Sequence, residues 1–206
     1  LKRLCNLLFP IPDSAAWGPS AERERPLGLS TLEVYRAHDR AVSQRVAEKF
    51  HHMLPVGMRE LSEVKVALTR FIDNAIERHE GGEPLTARYL YQQFGTEFGR
   101  ALYEHVWIDY VTHIASKLET GMFDYAPIHG PVSLKYPRAR PVLGLVIPDC
   151  RFPSEAQRAK ELGADVWWME DGRRIDRSAP PEHSSEPRWD TFKDVNPRVI
   201  DNNGNL

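Results

Sequence analysis

Cysteine is scarce in this chain. Cys5 and Cys150 are the two among 206 residues, too few for a disulfide framework or a four-cysteine zinc site. That scarcity suits a reducing cytosol. No apolar run reaches the length of a membrane span, and no secretory leader is visible. A large excess of one charge is missing as well. The formal net charge is −2, whereas broad electrostatic capture of DNA or RNA needs a basic face. Local basic clusters keep a small phosphate-bearing ligand open. His38 and the His51-His52 pair lack the helical spacing to a partner acid that a metal site uses, so they read as solvated. No Gly-x-Ser-x-Gly elbow occurs, which removes support for a hydrolase of that type. Internal repeats are absent too. What is present is ordinary for a globular protein: 41% hydrophobic and 27% charged residues, enough for one good-sized domain with its own core.

Read along the chain, Leu4, Leu7 and Leu8 share one helical face, which Pro10 and Pro12 close. Residues 13–30 are rich in Pro, Gly, Ser and charge and read as a loop around Trp17-Gly18-Pro19-Ser20. Leu32, Tyr35, Val42, Val46 and Phe50 recur at roughly helical spacing over 31–52. A clearer helix covers 60–79, with Leu61, Val64, Leu68, Phe71, Ile72, Ala75 and Ile76 on one stripe and Gly81-Gly82 at its end. Thr86 suits the cap of the next helix, which the pattern runs to a break at Gly95. Another long helix then carries Leu102, Val106, Trp107, Tyr110, Ile114 and Leu118. The stretch 121–141 holds four prolines and reads as a loop.

The pattern then changes. Val142 to Ile147 is almost wholly apolar, as expected of a strand buried on both faces. Pro153 suits the first turn of a following helix and Gly163 its end. Ala164 to Met169 reads as the next strand, which completes a strand–helix–strand unit with a right-handed crossover, and Arg198-Val199-Ile200 reads as a further strand. The predicted class is α/β, with many helices and a parallel sheet.

Three constellations carry chemistry. At the end of the first predicted strand stand Asp149, Cys150 and Arg151, with Glu155 one turn onward. Ligands of open α/β sheets bind there. A carboxylate in that place can hold a Mg²⁺-bound water and a guanidinium can fork onto phosphate oxygens. The alternative is a helix cap at Asp149 and an Arg151–Glu155 pair, with Cys150 as packing. The second is Gly95-Thr96-Glu97-Phe98-Gly99-Arg100 with Trp107 later, where two glycines let a ligand approach the backbone. Its alternative is a plain helix junction with Glu97 and Arg100 paired at i,i+3. The third is a Pro-rich segment in which Arg173, Arg174, Arg177 and Arg188 bracket His183-Ser184-Ser185-Glu186. Such a flap can close over a transferring phosphate, or it can be a solvated loop.

Taken in order, these segments resemble the deoxynucleoside monophosphate kinases of the phage type. The resemblance runs through Leu1-Lys2-Arg3-Leu4 with Phe9, then Trp17-Gly18-Pro19-Ser20 and Arg23. It continues with Gly95-Thr96-Glu97, Arg100 and Trp107, then Pro148-Asp149-Cys150-Arg151-Phe152 with Glu155 and Gly163. It ends at His183-Ser184-Ser185-Glu186 and the Asn202-Asn203-Gly204 turn, and it is poorest over 24–84. It implies a P-loop kinase-like parallel sheet flanked by helices, with a helical acceptor-side region over 13–92, a core over 93–170 and a lid-like segment over 171–190. It implies transfer of the γ-phosphoryl of ATP to a deoxynucleoside monophosphate with Mg²⁺, in the cytoplasm, and leaves a homodimer open. Such catalysis is mostly positioning and charge neutralisation. By the same resemblance, Asp149 organises Mg²⁺ or the acceptor phosphate, and Arg151 contacts phosphate. Gly95, Thr96, Glu97 and Arg100 line the acceptor pocket with Trp107 and Glu155 nearby. Arg173, Arg174 and Arg177, with His183 and Glu186, act in or beside the lid.

One departure is large. The Gly-x-x-x-x-Gly-Lys-Ser/Thr loop that wraps ATP phosphates should precede the LKRL helix, and no such string occurs in the sequence. Both ends read as cuts in a longer protein. The expectation is a chain that has little kinase activity alone, with its first strand and P-loop absent. Two rivals stand beside this reading. One is a related kinase with another acceptor, such as dephospho-coenzyme A, and the other is a non-catalytic remnant serving as an interaction module.

Overall fold

The computed structural model describes residues 1–121, 123–126, 130–133, 142, 144–147, 150–170 and 189–201. They divide into two compact units, Leu1–Val106 and Trp107–Leu206. Among the described residues, no helix is long and apolar enough to cross a membrane.

The first unit is helical: α1 (Lys2–Leu8), α2 (Asp13–Trp17), α3 (Ser20–Glu24), α4 (Thr31–Tyr35), α5 (Arg40–His51), α6 (Leu61–Glu80) and α7 (Ala87–Gln93). The expected loop over 13–30 is therefore two short helices, each following a proline, Pro12 and Pro19; proline fixes the φ that a helix start needs. The expected helix over 31–52 is broken at Asp39. Its carboxylate accepts from the N–H groups of Ala41 and Val42 at 2.8 and 3.1 Å, which starts α5 afresh. α6 follows its apolar stripe, with Val64, Leu68, Phe71, Ile72, Ala75 and Ile76 buried, and ends at Gly81 with Gly82 at φ +78°. Thr86 caps α7 as its sequence suggests, its hydroxyl accepting from the Tyr89 N–H at 3.1 Å.

The predicted break at Gly95 does not occur. α7 continues into a π-helical segment, Phe94–Arg100, and the chain leaves helix only at Tyr103–His105 before α8 (Val106–Glu119) begins. The doublet Phe-Gly recurs here after four residues, and Phe94, Gly95, Phe98 and Gly99 are all buried. A widened i→i+5 turn keeps both doublets on the inner side. Phe50 lies 4.5 Å from Phe98 between ring centres, Phe94 4.8 Å from Phe98 and Phe71 5.3 Å from Phe94. Edge-to-face and tilted pairs of this kind each add about 0.5–1.5 kcal/mol beyond their buried area.

The second unit contains α8, a hairpin, a helix and a small parallel sheet. β1 (Phe123–Ala126) and β2 (Gly130–Ser133) pair antiparallel, Phe123 opposite Ser133, so the stretch expected to be plain loop holds a hairpin. α9 (Pro153–Glu161) has Pro153 in its first turn, and Gly163 follows at φ +88°. β3 (Trp167–Glu170) pairs parallel with β4 (Arg198–Asp201), Trp167 opposite Arg198, after α10 (Trp189–Phe192). Ala156, Phe192 and Val195 form a small core here, against which Cys150, Val166 and Trp168 pack.

These features support the coarse class of helices with a parallel strand pair, an incomplete α/β arrangement. One part of the expectation fails. Val142 and Gly144–Ile147 are not a strand, and Leu145 and Val146 are 44% and 87% exposed. A strand buried on both faces needs a hydrogen-bonded partner. Among the described strands, β3 pairs with β4 and none lies alongside this run.

Candidate functional site

The Gly-Thr-Glu segment is the sequence-predicted site best placed by its surroundings. The two Phe-Gly doublets anchor the inner side of the π-helical turn, which leaves Thr96 half-buried and Glu97 exposed. Arg100 closes the turn. Its side chain is 12% exposed and its Nη2 lies 3.4 Å from the Glu104 carboxylate, at i,i+4. Gly95 stands against the Leu1 side chain: a Cβ there would meet Leu1 Cδ1 at 2.9 Å. Single π-helical turns inside α-helices often mark functional positions, because the widened ladder re-aims backbone and side chains.

Next to this segment, α7 carries Tyr91, whose hydroxyl donates to Asn6 Oδ1 on α1 at 2.8 Å. Burial pushes the Tyr91 phenol well above its ordinary value, and the neighbouring Cys5 adds to the effect. Cys5 is fully buried, and desolvation raises its thiol likewise. Lys2 Nζ donates to the Ala16 carbonyl at 2.7 Å and sits 4.7 Å from the centre of the Trp17 ring and 5.5 Å from that of Tyr91. Periodicity alone does not single out Tyr91 or Arg88. The signal that finds them is their i,i+3 spacing on α7, which matters only once α1 and α3 are known to pack there.

In the second unit, Glu155 is buried, at 6% exposure. Its Oε2 accepts from the N–H groups of Arg151 and Phe152 at 3.2 and 3.3 Å. That arrangement satisfies the free donors at the start of α9. The carboxylate is therefore engaged in holding the helix start. Arg151 is half-buried beside it, and Trp107 is half-buried at the start of α8. Asp149, Arg173, Arg174, Arg177, His183 and Glu186 lie outside the described residues. So do Pro148, Arg188 and the Asn202-Asn203-Gly204 turn.

The same unit holds a groove of about 590 Å³ between α8 and α9, lined by Asp109, Thr112, His113, Ser116, Arg158 and Leu145 among others. Arg158 crosses it, with Nε 2.9 Å from Asp109 Oδ1 and Nη1 3.4 Å from Glu161 Oε2. That pair fixes α9 against α8. Among the described residues, no group of three His, Cys, Asp or Glu side chains is arranged to hold a metal ion.

Compared with protein-family models, with curated proteins and with solved structures, the chain finds no match.

Proposed function

We propose that this chain is the acceptor-binding portion of a nucleotide kinase, an enzyme that passes the γ-phosphoryl of ATP to a deoxynucleoside monophosphate with Mg²⁺. The observation that carries the reading is the coincidence of the Gly95-Thr96-Glu97…Arg100 motif with the π-helical turn. Thr96 offers a hydroxyl, Glu97 a carboxylate that can accept from a base or sugar, and Arg100 a guanidinium whose fork matches phosphate oxygens. All three stand on a backbone held by the phenylalanine cluster, so little ordering is left to be done on binding. By the resemblance, Asp149 would organise Mg²⁺ or the acceptor phosphate, Arg151 would contact phosphate, and Arg173, Arg174 and Arg177 would act in or beside a lid.

Catalysis of this kind depends on positioned cations and metal around the phosphates. The 206 residues supply no Gly-x-x-x-x-Gly-Lys-Ser/Thr loop for ATP, so the chain binds acceptor and turns over little or none of it alone. The test is calorimetric titration of the chain with each deoxynucleoside monophosphate, alongside a coupled ADP-release assay. Saturable binding of at least one is expected, weakened about tenfold in Arg100→Lys and in Thr96→Val. Loss of a hydrogen bond to a charged group costs about 1.5–3 kcal/mol, and tenfold in affinity is about 1.4 kcal/mol. Absence of any nucleotide binding by a folded chain sinks the reading, as does turnover at an ordinary kinase rate without the loop.

A further inference from the structure

The first unit holds a second set of cations that the π-helical turn does not use. α1 and α3 both pack on α7. In the seam between them, Arg88 Nη2 lies 3.0 Å from Glu24 Oε1. Tyr91, one turn on, feels the charge of Arg23 from α3 and of Asp13 from α2. Lys2, on α1, reaches the same tyrosine ring and the Trp17 ring. The Nε atoms of Arg23 and Arg88 are both buried without a hydrogen-bond partner. A buried donor left unpaired is costly, the more so when it belongs to a charged group. Two such donors in one seam of a well-packed unit are expensive unless a ligand completes them.

We propose that Lys2, Arg23 and Arg88 form a binding site for a phosphate monoester in the seam of α1, α3 and α7. Two guanidinium forks and an ammonium match the several oxygens of a phosphate better than the two of a carboxylate. Asp13 and Glu24 offset two of the three positive charges and leave one in excess. Glu24 is more than half exposed, and its carboxylate occupies on Arg88 the place that a ligand oxyanion takes. The Trp17 and Tyr91 rings hold Lys2 by cation–π attraction, which positions the ammonium beforehand. The site stands on residues other than Thr96, Glu97 and Arg100 and is independent of the acceptor reading.

The experiment is calorimetric titration of the whole 206-residue chain with inorganic phosphate at constant ionic strength. Saturable binding is expected. Arg23→Gln and Arg88→Gln are expected to weaken it about tenfold while the far-ultraviolet dichroism and its melting curve stay those of the parent. Glu24→Gln is expected to tighten it several-fold, and no unfolding artefact produces a gain. Absence of saturable binding overturns the proposal, and so does binding that both Arg23→Gln and Glu24→Gln leave unchanged. Phosphate binding lost in Arg23→Gln, with nucleotide binding indifferent to Arg100→Lys, keeps this site and removes the acceptor reading. Nucleotide binding that depends on Arg100 but not on Arg23, with no phosphate binding, does the reverse.

Discussion

Gly18 and Gly95 both belong to the motifs that nominate the site, yet each is a glycine for a different reason. A Cβ at Gly18 would stand 2.1 Å from the carbonyl oxygen of Ser14, and the Gly18 N–H donates to that same oxygen at 2.9 Å. Backbone occupies the space, so an added methyl must push α2 open or break the bond that ends it. At Gly95 the obstacle is only Leu1 Cδ1, the end of a side chain that can rotate away. Gly18→Ala is therefore expected to cost about 1–3 kcal/mol, as overpacking does, and Gly95→Ala less than about 1 kcal/mol. Urea midpoints of the two variants check the contrast. Equal losses would show that the Gly18 turn relaxes as freely as a side chain. The Gly18 turn also joins Trp17, under Lys2, to the helix that bears Arg23, so the same substitution is expected to weaken phosphate binding.

The π-helical segment shows how packing overrides a local pattern. Its glycines predict a break, whereas four buried positions in two Phe-Gly doublets favour continuing the helix with a wider turn. Phe94 is fully buried and contacts Phe50, Phe71 and Phe98. Phe94→Ala is expected to cost about 3–5 kcal/mol and to raise the signal of an exposed-hydrophobe dye. A loss under about 1 kcal/mol would mean that the cluster does not hold the turn. Elements with strong local signals are readable from sequence alone: α6 from its long apolar stripe, α7 from the Thr86 cap, α9 from Pro153 and Gly163, and β4 from Arg198-Val199-Ile200. The hairpin at β1 and β2 is not, because prolines and the lack of clean alternation hide it. Val142–Ile147 is the opposite case, since an apolar run says strand while only a partner can make one. For the proposed site, the Gly-Thr-Glu motif can be nominated from sequence because its residue types are unusual together. The proposed Lys2, Arg23 and Arg88 set cannot, because its residues are scattered in the sequence on α1, α3 and α7, and α1 and α3 come together only by packing on α7.

At the scale of the molecule, the buried hydrophobic residues among those described are distributed unevenly between the two units. Twenty-seven buried hydrophobic residues lie in Leu1–Val106, and six lie among the described residues of Trp107–Leu206. The second unit leaves Leu145, Val146, Trp167, Met169, Val199 and Ile200 exposed. Among the described residues, the parallel pair β3–β4 carries apolar side chains that face water, whereas parallel sheets are ordinarily covered on both faces. The first unit has a continuous aromatic and aliphatic core, capped helices and a size typical of an independent domain. The fragment 1–106 is accordingly expected to fold by itself, with helical dichroism and one cooperative urea transition. Local contacts between consecutive helices also favour rapid folding of this part. The decisive comparison sets the urea midpoint of the fragment against that of the Phe94→Ala fragment. If the core of this unit is self-sufficient, the parent fragment unfolds cooperatively and the substitution lowers its midpoint. A fragment with no transition, indifferent to the substitution, would mean that its helices require residues beyond Val106 to hold together.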